Sequence, residues 1–270
     1  MSDRPARQPE VGGEPGAAGA PTGERSPVIE VKNLTKRYGG NVVLDDVSLS
    51  FAEGTTTVIL GGSGSGKTVF MKHLIGLNKP DSGQVLIDGQ DLVPMGQNEL
   101  DVLRRKFGMV FQGAALFDSM TVGENCAFPL REHEKLPEAE IRRRVDERLA
   151  QVGLEGAAAK FPAELSGGMR KRVGLARALM LDPKIVLYDE PTTGLDPITT
   201  DSVDEMILEA AKKFKVTSVV ISHDIGSAFK VANQLAVLYK GKFVATGPPE
   251  EVRASEHPFV KKFLALWFGK

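Results

Sequence analysis

The 270-residue chain, 41% hydrophobic and 26% charged, is long enough to bury a full core and reads as one globular unit with sub-lobes. A formal net charge of -1 and a pI near 6.5 exclude the broad basic footprint of a nucleic-acid binder, so no nucleic-acid partner is expected. The single cysteine, Cys126, excludes an internal disulfide; no stretch approaches the ~20 apolar residues of a membrane span, and no secretory apolar core opens the chain, so a cytoplasmic location is expected.

Residues 1–27 are rich in Pro, Gly and Ala, contain no aromatic residue and mix both charge signs, which reads as a disordered N-terminal tail. Folding signals start at Val28. The short runs Val28-Ile29-Glu30-Val31, Val47-Ser48-Leu49-Ser50-Phe51 and Thr57-Val58-Ile59-Leu60 predict a strand-rich N-terminal lobe. A glycine-rich loop follows. Beyond it Val69, Phe70, His73, Leu74 and Leu77 recur at helical spacing, and Asn78-Lys79-Pro80 is expected to stop that helix.

From about Leu103 to Met180 the pattern predicts an inserted helical subdomain. Within it Ile141, Val145, Leu149 and Val152 share one face, and the run Arg142-Arg143-Arg144 reads as a solvated one. Cys126, in Cys126-Ala127-Phe128-Pro129-Leu130, reads as a small buried hydrophobe. Two apolar runs, Ile185-Val186-Leu187-Tyr188 and Ser218-Val219-Val220-Ile221, flank a helix showing Val203, Met206, Ile207, Ala210 and Phe214. Strands buried on both faces and joined through helices predict a parallel sheet, hence an α/β fold. The globular part is expected over residues 28–258, followed by an amphipathic tail over residues 259–270. Helical spacing puts Phe259, Phe263 and Trp267 on one face of that tail, which is expected to pack back on the chain or to dock on a partner.

Gly61-Gly62-Ser63-Gly64-Ser65-Gly66-Lys67-Thr68 matches G-x-x-x-x-G-K-[ST] between an apolar strand and an amphipathic helix, which identifies a phosphate-binding loop. Its glycines let backbone N–H groups converge on phosphate oxygens, and the helix N-terminus adds its dipole. Lys67 would supply a point charge to the β and γ phosphates, and Thr68 a hydroxyl to Mg²⁺. Asp189-Glu190 ends an apolar strand; Asp189 is placed to hold Mg²⁺ and Glu190 to orient or deprotonate the attacking water. Ser166 caps a predicted helix, and Gly167 and Gly168 leave its backbone donors open. This makes a second anion site possible, but on spacing alone an ordinary capped helix is the favoured reading.

The phosphate loop, Gln112, Leu165-Ser166-Gly167-Gly168-Met169, Asp189-Glu190, Gly194-Leu195-Asp196-Pro197 and Ser222-His223-Asp224 occur in an order that resembles the ABC transporter ATPases, over nearly all of the stretch from Val28 to Phe263. The resemblance implies a P-loop NTPase core with a mostly parallel sheet, an antiparallel β lobe and the helical insertion. It also implies that Tyr38 stacks on adenine, that Gln112 senses Mg²⁺ and the γ phosphate, and that His223 contacts the γ phosphate. Asp196 joins the nucleotide-binding residues on the same ground. Ser166, Gly167 and Gly168 would close over ATP held by a second copy of the chain. Met169 departs from the glutamine usual at the end of that signature.

A narrower resemblance lies in Phe111-Gln112-Gly113-Ala114-Ala115-Leu116-Phe117, Phe128-Pro129-Leu130-Arg131-Glu132-His133 and Asp196-Pro197-Ile198-Thr199. These are similar to the Mla/Mce-type ATPases of bacterial lipid transport. That resemblance implies an integral membrane permease, an Mce-domain lipid-binding protein, a STAS-domain regulator and a place on the cytoplasmic side of the bacterial inner membrane. The apolar residues Ala115, Leu116, Phe117 and Met120 suit a groove for a permease helix. An importer ATPase for amino acids or another small solute, a non-transport ABC-type ATPase and a P-loop kinase are the alternatives.

Overall fold

A computed structural model describes residues 27–268. The tail read over residues 1–27 lies outside the described residues apart from Pro27, as do the last two positions of the chain. The elements are β1 (Pro27–Tyr38), β2 (Asn41–Ala52), β3 (Thr56–Leu60), α1 (Lys67–Leu74), β4 (Ser82–Ile87), β5 (Gln90–Asp91), α2 (Gln97–Arg104), β6 (Phe107–Val110), α3 (Val122–His133) and α4 (Glu138–Gln151). A 3-10 turn at Pro162–Glu164 precedes α5 (Gly167–Ala178), β7 (Ile185–Asp189), α6 (Pro197–Phe214), β8 (Thr217–Ser222), α7 (Ile225–Val231), β9 (Gln234–Tyr239), β10 (Lys242–Gly247), α8 (Pro249–Arg253) and α9 (Pro258–Phe268).

Two sheets result. The N-terminal one is antiparallel, in the order β2-β1-β4-β5. The larger runs β10-β9-β3-β8-β7-β6 and is parallel except for the edge strand β10. In β2 the alternation of Val47, Leu49 and Phe51, buried, with Ser48 and Ser50, exposed, sets one face inward. β3 and β8 are buried throughout because both faces of the large sheet are covered. Ile59, Leu187 and Val219 face the β lobe and α1, whereas Val58, Leu60, Val186, Tyr188 and Val220 face a core containing residues of α5 and α6.

Helix α1 is shorter than its spacing predicts. Gly76 adopts φ 64°, its N–H donates to His73 O (3.1 Å), and Leu77 N–H donates to Lys72 O (2.9 Å). This left-handed termination satisfies the last carbonyls and turns Leu77 out to solvent before Pro80 is reached. The stretch 103–180 likewise differs from a wholly helical reading, because Phe107–Val110 forms the edge strand β6. Four residues are too few to display a period of two against a helical background.

Ile141, Val145, Leu149 and Val152 are buried, and Arg143 lies on the exposed side of α4, paired with Glu140 and Glu147. Cys126 is buried, and burial pushes its thiol up to about 12. The C-terminal helix α9 packs back on its own chain: Phe259 stacks on Tyr239 at 3.8 Å and on Phe263 at 5.5 Å. Trp267, still largely exposed, lies over Gly226, where an added Cβ would meet the indole at 2.3 Å. Among the described residues no helix is long and apolar enough to cross a membrane.

Candidate functional site

Parallel pairing brings the sequence motifs to one edge. Leu60 pairs with Ser222, Ile221 with Asp189 and Tyr188 with Val110. The loop after β3, Glu190 after β7, His223 after β8 and Gln112 beyond β6 therefore all emerge at the carboxyl ends of the strands, where open α/β sheets hold ligands.

The loop that follows β3 requires its glycines. Gly64 and Gly66 lie at φ 74° and 107°, in the left-handed region that favours glycine. A Cβ on Gly66 would also come within 2.9 Å of Val43 O, and one on Gly61 within 2.5 Å of Leu238 O. Gly66 caps α1, whose first residue, Lys67, is buried. Its Nζ donates to Gly61 O (2.8 Å) and Gly62 O (3.3 Å) and lies 3.4 Å from Glu190 Oε1. Ser65 Oγ is buried without a hydrogen-bond partner, a polar group that an anion cradled by the loop would satisfy. Ser63, Gly64 and Thr68 are exposed at the rim, and Gly62 is half-buried.

Glu190 is the hub of the site. Its backbone sits in the left-handed region at φ 49°, and its N–H donates to Ile221 O at 2.9 Å. Oε2 lies 2.7 Å from His223 Nδ1 and accepts from Thr193 Oγ1 at 3.0 Å. The neighbouring carboxyl of Asp189, half-buried, is raised above the usual range by burial and then by the Glu190 charge, against Lys67 and Lys72. A divalent cation would relieve that raised carboxyl. Among the described residues no group of three or more His, Cys, Asp or Glu side chains forms a metal site. One carboxylate with the Thr68 hydroxyl and the Gln112 amide suits Mg²⁺, which takes oxygen ligands and keeps most of its shell as water and phosphate.

Tyr38 ends β1, 45% exposed, and its hydroxyl accepts from Asn78 Nδ2 at 3.0 Å. The hairpin it belongs to abuts the phosphate loop through Val43 and Leu44, which lie against Gly66. Asp196 caps α6, accepting from Ile198 N–H (3.0 Å), Thr199 N–H (3.1 Å) and Thr199 Oγ1 (2.6 Å). Those bonds, the Thr199 hydroxyl first, hold its pKa below the usual range. Ser166 caps α5, its Oγ accepting from Met169 N–H at 3.3 Å. Ser166 is exposed, and a Cβ on Gly168 would meet nothing within 4 Å, so this helix end is open. Among the described residues no hydrogen bond or ion pair joins residues 166–168 to the phosphate loop of the same chain.

Thr193 is a site residue that sequence reasoning did not single out. Its place three residues after Glu190, in Glu190-Pro191-Thr192-Thr193, was the available signal, because a turn of that length returns a hydroxyl to the carboxylate.

The ABC transporter family pattern matches residues 44–193. This chain belongs to that family. As an ABC ATPase it binds and hydrolyses ATP. It is 47% identical over 236 residues, 87% of this chain and 68% of the other, to the probable ribonucleotide transport ATP-binding protein mkl of Mycobacterium leprae. It is 42% identical over 237 residues, 88% of this chain and 90% of the other, to the intermembrane phospholipid transport system ATP-binding protein MlaF of Haemophilus influenzae. A solved ATP-binding cassette, a dimer in a post-hydrolysis state bound to ADP and Pi, superposes with a TM-score of 0.72 at 33% identity, covering 82% of this chain and 98% of that one.

Proposed function

We propose that this ABC ATPase powers phospholipid transport across the bacterial envelope through a separate integral membrane permease, from the cytoplasmic face of the inner membrane. The observation that carries the lipid assignment is the likeness to MlaF over 90% of that protein's length, against about two thirds of the length of mkl. The assembly on this reading holds two copies of the chain, the permease, an Mce-domain lipid-binding protein and a STAS-domain regulator.

ATP would lie on the phosphate loop, with Tyr38 against the adenine and residues 61–68 around the phosphates. Lys67 would supply charge to the phosphates, and Thr68, Asp189 and Gln112 would hold Mg²⁺, whose positive charge would offset that of the phosphates. Glu190 takes the proton of the attacking water, while His223 fixes its carboxylate and reaches for the γ phosphate. The open end of α5 is read as the second wall of the site of a partner copy, with Ser166, Gly167 and Gly168 donating to its ATP and Asp196 beside it. Only tighter binding to the closed pair than to the open one can drive the permease.

The permease contact falls beside Gln112. Phe111, Phe117 and Phe128 are 38%, 44% and 37% exposed around a groove of about 330 Å³. The Phe117 and Phe128 rings lie 5.3 Å apart. Ala115 joins the groove, whereas Leu116 packs inward against the core. An apolar rim of this kind suits an amphipathic helix.

The assembled transporter in vesicles carrying a fluorescent phospholipid tests the assignment. ATP-dependent movement of that lipid, abolished by Glu190→Gln, is expected; ATP-driven uptake of a ribonucleotide or amino acid with no lipid movement would overturn it.

A further inference from the structure

The segment between Gln112 and the groove is held in a disfavoured form. Ala114 and Ala115 are consecutive residues in the left-handed region, at φ 61° and 47°. A side chain with a Cβ rarely takes that conformation even once, and such strain persists only where the surroundings over-determine it.

The surroundings here are one face of α5. Arg177 donates from Nη1 to Ala115 O (2.7 Å) and from Nη2 to Ala114 O (2.8 Å), and Lys171 Nζ donates to Gln112 O. Between them Gly174 lets the turn approach, since a Cβ there would stand 3.2 Å from Ala114 Cβ. Two successive left-handed residues send their carbonyls to one side, and the planar guanidinium fork spans both. Lys171 is buried and Arg177 half-buried, each with its pKa lowered by burial. The bonds described for both end on backbone carbonyls and none on a carboxylate. A desolvated cation is costly unless its donors are taken up, so these side chains demand this shape of the turn as much as they hold it.

We propose that Arg177, supported by Lys171, is a positioning residue that latches the strained Ala114-Ala115 turn to the helix led by Ser166, so that the Gln112 segment and the permease groove move with the signature turn as one body. The coupling half of this rests on the reading of the groove as the permease seat; the latch itself does not.

Hydrogen exchange on the isolated full-length chain tests the latch. In Arg177→Gln, exchange across residues 111–121 is expected to rise about tenfold while peptides of β7 and β8 stay unchanged, the mark of local rather than global opening. Should that variant not fold, Arg177→Lys, which keeps the charge and loses the fork, is expected to show the same local rise. Unchanged exchange in a folded variant overturns the latch. In the assembled transporter, Arg177→Gln is expected to lose the stimulation of ATP hydrolysis by the permease. A folded Arg177→Gln chain that keeps full stimulation by the permease overturns the coupling role. Absence of stimulation in the unsubstituted chain would strike the permease reading instead, and the exchange measurement would still decide the latch.

Discussion

His223 Nδ1 stands 2.7 Å from Glu190 Oε2, although 33 positions separate the two in sequence. β7 and β8 are neighbours in register, so the residues that follow each strand meet at the same edge of the sheet. The other carboxylate oxygen lies 3.4 Å from the ammonium of Lys67, which ties the phosphate loop to the same group.

If Glu190 handles the proton of the attacking water, Glu190→Gln keeps the shape and the His223 contact but removes the base. Phosphate release is expected to fall by roughly 10²–10⁴-fold, the usual worth of general base catalysis. Nucleotide affinity, followed with a fluorescent ATP analogue, is expected to stay within a few-fold. A variant that turns over at the native rate removes Glu190 from the role.

Asp189 sets a pH dependence. Its folded-state pKa is raised, by burial first and the Glu190 charge second, so the metal-free chain gains stability from it at low pH and loses that gain as pH rises through the folded value. A divalent cation needs the ionised form. Mg²⁺ affinity in the presence of nucleotide is therefore expected to weaken on acidification at a higher pH than an ordinary aspartate would give, and Asp189→Asn is expected to flatten the profile. Calorimetric titration across the acid range checks both.

The phosphate loop rests on α1, and α1 rests on Phe70. That ring is fully buried, 6.5 Å from Phe51 and edge-on to Phe243 at 5.2 Å. Phe70→Ala is expected to destabilise the chain by about 3–5 kcal/mol through lost transfer energy and a residual cavity. Urea unfolding measures it. A loss below about 1 kcal/mol would mean that the site collapses around the gap.

Much of the site was legible because its signals are local. Gly61 to Thr68 carries its own turn, glycines and lysine in eight consecutive residues, and Ser166 caps its helix from within four. Contacts made across the sheet left no such mark. His223 beside Glu190, and Arg177 reaching carbonyls 62 and 63 residues away, depend on the strand order that the fold supplies. Arg177, on sequence, is one more basic residue of a helix with Arg170, Lys171 and Arg172. β6 was hidden by its length, and the early end of α1 by Gly76, whose left-handed conformation has no signature apart from the glycine itself.

We propose that each ATP is enclosed by Lys67's loop from one copy and Ser166's turn from another. Mixing a Lys67→Ala chain with a Ser166→Arg chain tests it most directly. Each alone places a defect in every composite site, whereas a mixed dimer contains one site with both halves intact. Two inactive parents are expected, with a mixture that recovers hydrolysis at up to about a quarter of the sites. A mixture as inactive as its parents, from chains that are folded and exchange subunits freely, would contradict it.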